Sequence, residues 1–480
     1  MRFELALLRA RVLLRLQRPQ DAIAAISACA FTPATTDALV SSQALLGFAY
    51  VRVGDAVRGM DLLNEAQARA REAHPTIRAE LLLHRGIAHY LCGDREQAES
   101  LLMTVPTDAD MISARALEWR GWIAIAGARY EHAARAFGAS YAAIRACRWR
   151  DRFVEASVLQ GLATLGAETM LLDGWAEIEE HIRGFDWDVD GLGVPRFWVA
   201  LLCASVRELL GDVDGALAWS RLAEARAPNE ASRATSLCRT ASIFRGIGER
   251  RAHLEFADRA RELYDTISAR DVPGDHHALP LFIAEELAYA ARAAQARDLL
   301  AAYRRRTAAG APAVGGEDRH AGLVAAIEGL IAEAAEDRVT AVKCYSKSFR
   351  ILRRGARRRA VEVALRLARV TGSARYVAYA NAALASVHPD YWMAREARAL
   401  HSGETPTLTD HQRTILLLVA QGKTYKEIAS KLGRSWKTIS NSVEHLRGKF
   451  GAATRGELVA RALQHGVVGV GEPEGDAHSA

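Results

Sequence analysis

A chain of 480 residues, half of them hydrophobic, is long enough for two or more domains with sizeable cores. No run of 18 apolar residues occurs, which excludes a membrane-spanning helix, and the N-terminus leads into an amphipathic pattern without a signal-peptide layout. The six cysteines include no CxxC pair and read as reduced core residues of a cytoplasmic protein, while the net charge of +6 matters chiefly for where it falls.

Ala, Leu and Arg dominate and Pro is scarce, which favours helices over strands. From the N-terminus, small residues recur inside helical patterns. Ala10 with Gln20, Asp21, Ala22 and Ile26 opens the series. Gly47, Tyr50, Gly54, Asp55, Gly59, Leu63 and Ala66 follow, then Gly86, Gly93, Asp94, Ala98 and Leu102. Gly121, Tyr130, Ala133 and Phe137 make another unit. Gly211, Asp212, Ala216, Ala223 and Pro228, and later Gly329, Ala341 and Tyr345, repeat the theme. The unit is helix, tight turn, helix, in about 35–40 residues. Gly-Asp ends one helix and caps the next, and small residues are expected to face small residues where the pair packs. A single hairpin cannot bury its apolar face, so hairpins must stack. The pattern resembles tetratricopeptide repeats, which implies an α-solenoid over residues 1–400 with a groove for a protein or peptide ligand. Glu155 to Arg196 and Ala257 to Gly310 fit the template poorly.

Between the repeats, Gly184 to Val194 carries Asp186, Asp188, Asp190 and Gly191, like the start of a calcium loop. The twelfth position is Phe197, so an acidic solvated loop is the better reading. His276 and His277 are adjacent and have no second pair nearby, which makes an exposed turn the default. Ala308 to Gly316 reads as a connector. Arg350, Arg353, Arg354, Arg357, Arg358 and Arg359 read as the solvated face of one helix. No GxxxxGK[ST] motif, catalytic triad or metal cluster stands out, so no cofactor, metal or enzymatic activity is expected. His401 to Thr407 reads as a linker, and 468–480 as a tail.

The last stretch, 408–467, is the most informative. Thr409 with Gln412, Thr424 with Glu427 and Thr454 with Glu457 are capping boxes, and Ser435 caps a fourth helix alone. Gly422 and Gly433 mark reversals. Ile439, Val443, Leu446 and Phe450 share one helix face, with Lys437, Ser440, Asn441, Glu444 and Arg447 opposite. From Pro406 to Gly466 ten Lys and Arg stand against four Asp and Glu, so the whole net charge of the chain sits here. A short helix, a Gly turn and a helix held by one apolar stripe are the layout of a helix-turn-helix.

This run resembles the LuxR-type DNA-binding domain. The likeness is carried by Leu408, Thr409, Gly422, Lys426, Glu427, Ile428, Ala429, Leu432, Ser435, Lys437, Thr438, Ile439, Val443, Lys449, Glu457 and Leu458. It implies that Ser440, Asn441 and Glu444 face bases, and that Thr424, Lys426, Lys437, Thr438, Arg447 and Lys449 face phosphates. It implies double-stranded DNA, a homodimer through the fourth helix, and RNA polymerase as partners. The family usually has Lys or Arg where Ser440 stands and His where Ser442 stands. The expected protein is thus all-α: a TPR-like solenoid that receives a signal, followed by a four-helix helix-turn-helix domain that reads a promoter. The competing reading is an interaction scaffold whose terminal domain mainly dimerises.

Overall fold

The computed structural model describes residues 2–16, 18–29, 33, 35–106, 110–189, 191–267, 276, 278–308, 317–402, 408–450, 452 and 454–464. Among them every regular element is helical. Two compact units result: Met1–Arg207 with Val213–Arg239, and Glu208–Asp212 with Thr240–Ala480.

In the first unit, antiparallel hairpins pair α1 (Arg2–Arg15) with α2 (Pro19–Ser27) and α3 (Thr36–Arg52) with α4 (Ala56–Arg69). The pairs α5 (Pro75–Leu91) with α6 (Arg95–Met103) and α7 (Met111–Ala126) with α8 (Tyr130–Ala146) continue the series. The first helix of each hairpin also packs on the first helix of the next, from α1 to α3, α5, α7 and α9 (Arg152–Thr169). That is the TPR-like stacking which buries faces no single hairpin could cover. Next come α10 (Trp175–Gly184), α11 (Gly193–Leu209), α12 (Val213–Ala225) and α13 (Glu230–Ile247).

The second unit continues with α14 (Arg250–Thr266), α15 (Leu279–Tyr289) against α16 (Ala293–Ala308), and α17 (Glu317–Ala334) against α18 (Arg338–Leu352). Then α19 (Arg357–Thr371) packs on α18 and on α20 (Ala374–Ala383), which is followed by α21 (Trp392–Ser402). The helix α21 runs two residues past the boundary drawn from sequence at 400. Residues 403–407 of the linker and the tail 468–480 lie outside the described residues.

One backbone device makes many of the hairpins. At each turn an amide N–H reaches back five residues to a carbonyl and closes a Schellman-type stop. Asp55 N–H donates to Tyr50 O at 3.0 Å and Asp94 N–H to His89 O at 2.9 Å. Gly54 (φ +94) and Gly93 (φ +89) supply the left-handed residue, and Asp55 and Asp94 then cap α4 and α6. The same bond recurs from Arg129 to Ala124, from Arg292 to Leu287 and from Asp337 to Ala332. There the left-handed position is held by Ala128, Ala291 and Glu336.

Small residues do not simply face small residues. Gly47 and Gly59 do, since a Cβ on either would lie within 2.7 Å of the other's carbonyl oxygen. The other inner glycines are sockets for a large side chain. Leu102 fills the space at Gly86, Phe137 that at Gly121 and Gly161, and Tyr345 that at Gly329.

Three sequence expectations change. The arginine run spans two helices, because α18 stops at Leu352 and α19 starts at Arg357. Arg350, Arg353 and Arg354 are exposed, but Arg358 pairs with Glu208 at 3.0 Å and Arg359 with Glu285 at 2.7 Å, both mostly buried. His276 is buried, not exposed, and His277 lies outside the described residues. Of the cysteines only Cys203 and Cys238 are buried, and Cys92 is exposed. In the acidic loop Asp186 pairs with Arg152 at 3.5 Å and Asp188 with Arg196 at 2.6 Å, while Asp190 is outside the described residues.

Candidate nucleic-acid interface

The C-terminal helices are α22 (Asp410–Ala420), α23 (Tyr425–Leu432), α24 (Trp436–Lys449) and α25 (Arg455–Gln464). Their starts follow from local chemistry. Thr409 Oγ1 accepts from Gln412 N–H at 3.2 Å, and Gln412 Oε1 accepts from Thr409 N–H at 3.2 Å. Thr424 and Glu427 close the same reciprocal box at 3.3 and 2.6 Å. Ser435 Oγ accepts from Thr438 N–H at 3.1 Å and starts α24. Thr454 Oγ1 accepts from Glu457 N–H at 3.1 Å at the start of α25, and the Glu457 carboxylate accepts from Arg461 at 2.6 Å. Gly433 (φ +61) makes the turn between α23 and α24. Replacing Thr409 by Ala should remove about 1 kcal/mol from the start of α22, read as faster amide hydrogen exchange in its first turn.

A single small core holds the four helices. Ile439, Val443 and Leu446 of α24 are fully buried with Ile415, Leu416, Ile428 and Leu458, and Phe450 is nearly so. The stripe read from sequence is therefore the inner face of α24. Its outer face carries exposed Lys437, Asn441 and Glu444 and half-buried Ser440. Thr424 and Lys426 at the start of α23 are exposed, as are Lys423, Lys431 and Arg434. Lys426, Lys431 and Lys437 lie on the two helices that a helix-turn-helix presents to a duplex, and Lys423 and Arg434 in the turns that flank α23.

Not every cation is equally available. Lys449 Nζ donates to Gln412 Oε1 at 2.8 Å, and burial holds its pKa below the ordinary lysine range. Arg447 pairs with Glu444 at 2.7 Å. Arg455 donates to the carbonyls of Val419 and Lys423, and Arg461 to that of Phe450, so both staple α25 to its neighbours. Thr438 shares a 2.8 Å hydroxyl bond with Ser435. Two features had no signal in the sequence. The Glu444 carboxylate also lies 4.0 Å from Arg338 at the start of α18, and α24 packs against α19. Trp436, at the entrance of α24, is 59% exposed, a large aromatic beside the cationic face.

Fold and site together define a helical-repeat protein that carries a four-helix helix-turn-helix domain. The family of bacterial regulatory proteins named luxR matches residues 406–462. Spore germination protein GerE of Bacillus subtilis is 39% identical over 61 residues, which cover 13% of this chain and 82% of that protein. The chain belongs to the luxR family of bacterial regulatory proteins. Transcriptional regulatory protein MctR of Rhizobium johnstonii is 38% identical over 69 residues, 14% of this chain and 32% of that one. Methanol utilization control regulatory protein MoxX of Paracoccus denitrificans is 35% identical over 60 residues, 12% of this chain and 27% of that one. The chain thus spans less than a third of the length of MctR and MoxX. Along the whole chain, the crystal structure of the APC/C hetero-tetramer Cut9-Hcn1 aligns with a TM-score of 0.29 at 11% identity, covering 96% of this chain and 97% of that one.

Proposed function

We propose that this chain is a DNA-binding transcription regulator whose helix α24 reads a promoter site in the major groove. The observation that carries it is the division of α24 into a fully buried apolar stripe and an exposed face holding Lys437, Asn441 and Glu444. Thr424, Lys426, Lys437 and Thr438 sit at helix starts and fix register on phosphates, with Arg447 and Lys449 reaching the backbone from the far end. Asn441 pairs with adenine, Ser440 tolerates several bases, and Glu444 accepts from a cytosine amino group. Helix α25 joins two copies on a two-fold site. The helical-repeat body receives a protein, peptide or small-molecule signal in the cytoplasm, and RNA polymerase is the downstream partner.

A mobility-shift titration of genomic fragments over a range of salt tests this. Affinity should fall steeply with salt. Asn441→Ala should cost about 1–3 kcal/mol and relax one base position. Lys437→Ala should weaken all sequences alike and reduce the salt slope by about one. A protein that shifts no fragment at low salt is instead the interaction scaffold.

A further inference from the structure

The first turn of α24 is exposed on every side. Trp436, Lys437 and Thr438 all face solvent, as do Gly433, Arg434 and Ser435 before them. By spacing alone Trp436 would extend the apolar stripe, since it stands three residues before Ile439 and seven before Val443. The fold does not use it that way. Ile439 and Val443 are fully buried, whereas Trp436 is 59% exposed. Among the described residues its ring pairs with no other ring or guanidinium, and its indole N–H has no acceptor.

The charges around it are of one sign. From Lys431 to Val443 the charged side chains are Lys431, Arg434 and Lys437, all exposed, and no carboxylate falls among them. An unpartnered tryptophan flanked by cations suits a polyanion that also offers apolar groups. Double-stranded DNA is such a partner. Its phosphates attract the cations, and on the base edges of the major groove the thymine C5-methyl is an apolar group. In a helix-turn-helix the N-terminal residues of the second helix are those that meet base edges. Trp436 is the first residue of α24, and Ser440 follows it one turn later on the same side.

We infer that Trp436 is a specificity-determining residue, whose indole packs on the C5-methyl of a thymine in the target duplex while Arg434 and Lys437 hold flanking phosphates. This rests on the DNA-binding reading above and adds to it one base read by apolar contact, beside the polar contacts of Asn441 and Glu444. The contact carries no charge, so it contributes to sequence preference and not to the salt dependence of binding.

The test uses the full-length chain and a duplex that it enriches from a random-sequence pool. Each thymine is replaced in turn by deoxyuridine, which removes the C5-methyl and keeps every hydrogen-bonding group. At one thymine of each half-site the wild-type chain should lose about fourfold in affinity, the share of one buried methyl. Trp436→Ala should bind the thymine duplex about fourfold or more weakly than wild type. It should also bind the thymine and uracil duplexes alike at that position, with an unchanged salt slope. Trp436→Phe should keep the preference for thymine. Both variants should melt at the wild-type temperature, because the side chain is exposed. Uracil tolerated at every thymine, an unchanged affinity of Trp436→Ala, or a thymine preference that survives in Trp436→Ala would each overturn the assignment. A chain that enriches no duplex overturns the DNA reading and this contact with it, whereas a chain that enriches one and ignores uracil overturns the contact alone.

Discussion

Arg245→Met should destabilise the second unit by about 3–5 kcal/mol, because it strips the cation from two buried carboxylates at once. The guanidinium lies 3.1 Å from Glu286 and 2.9 Å from Glu362, and all three side chains are at most 10% exposed. Burial alone would push Glu362 up; Arg245 and Arg359 instead hold it down to about 2. Glu286 is likewise held below the ordinary range, against burial, by Arg245 and His253. A carboxyl with a depressed folded pKa stabilises the fold above its unfolded pKa, about 4.5, and loses that contribution as pH falls toward its folded value. The deficit of Arg245→Met should therefore be largest near neutral pH and shrink between about pH 4 and pH 2. Urea melts of both proteins across that range measure it. Adding Glu286→Gln and Glu362→Gln should recover much of the loss, since the removed charges no longer need a partner. A deficit that stays constant with pH would mean that lost packing against Tyr289 and Trp392, not charge, sets the cost.

How much could be read beforehand follows from how local each determinant is. The four C-terminal helices were legible because their starts are set within three residues and their core by a stripe of period 3.6. Thr409, Thr424 and Ser435 cap as the sequence dictates. The turns at Gly54-Asp55 and Gly93-Asp94 were legible for the same reason. Equivalent turns at Ala128, Ala291 and Glu336 were not, because no residue type there signals a left-handed backbone. The hairpin packing imposes that conformation at a local cost, so the repeat over α15 and α16 looked irregular. The glycine sockets were half legible: the glycines stand out, but not the large side chain that fills each. The arginine run failed for a different reason. Arg358 and Arg359 find carboxylates 150 and 74 residues away, and helical periodicity carries no information about such partners. On α24 the sequence placed Lys437, Asn441 and Glu444 on the outer face. It could not foresee that Glu444 meets Arg338, since that contact depends on how α18 lies.

Phe137→Ala should cost the first unit about 3–5 kcal/mol. The ring is fully buried and sits between two glycines on different helices, Gly121 of α7 and Gly161 of α9. A Cβ at Gly121 would lie 2.7 Å from the ring, and one at Gly161 would be closer still. Trp122 meets it edge-on at 5.2 Å. One side chain thus sets the spacing of three helices, and neighbouring atoms cannot close the gap it would leave without moving backbone. The two glycines make the claim separable from ordinary core loss. Gly161→Ala alone should overpack the socket and cost about 1–3 kcal/mol. Introduced into Phe137→Ala, the same methyl enters vacated space and should be neutral or stabilising. A double-mutant cycle by urea denaturation reads the difference as a coupling energy. Additive costs would show that the ring and the Gly161 backbone do not compete for one space, and the socket reading of the repeat glycines would fail with them.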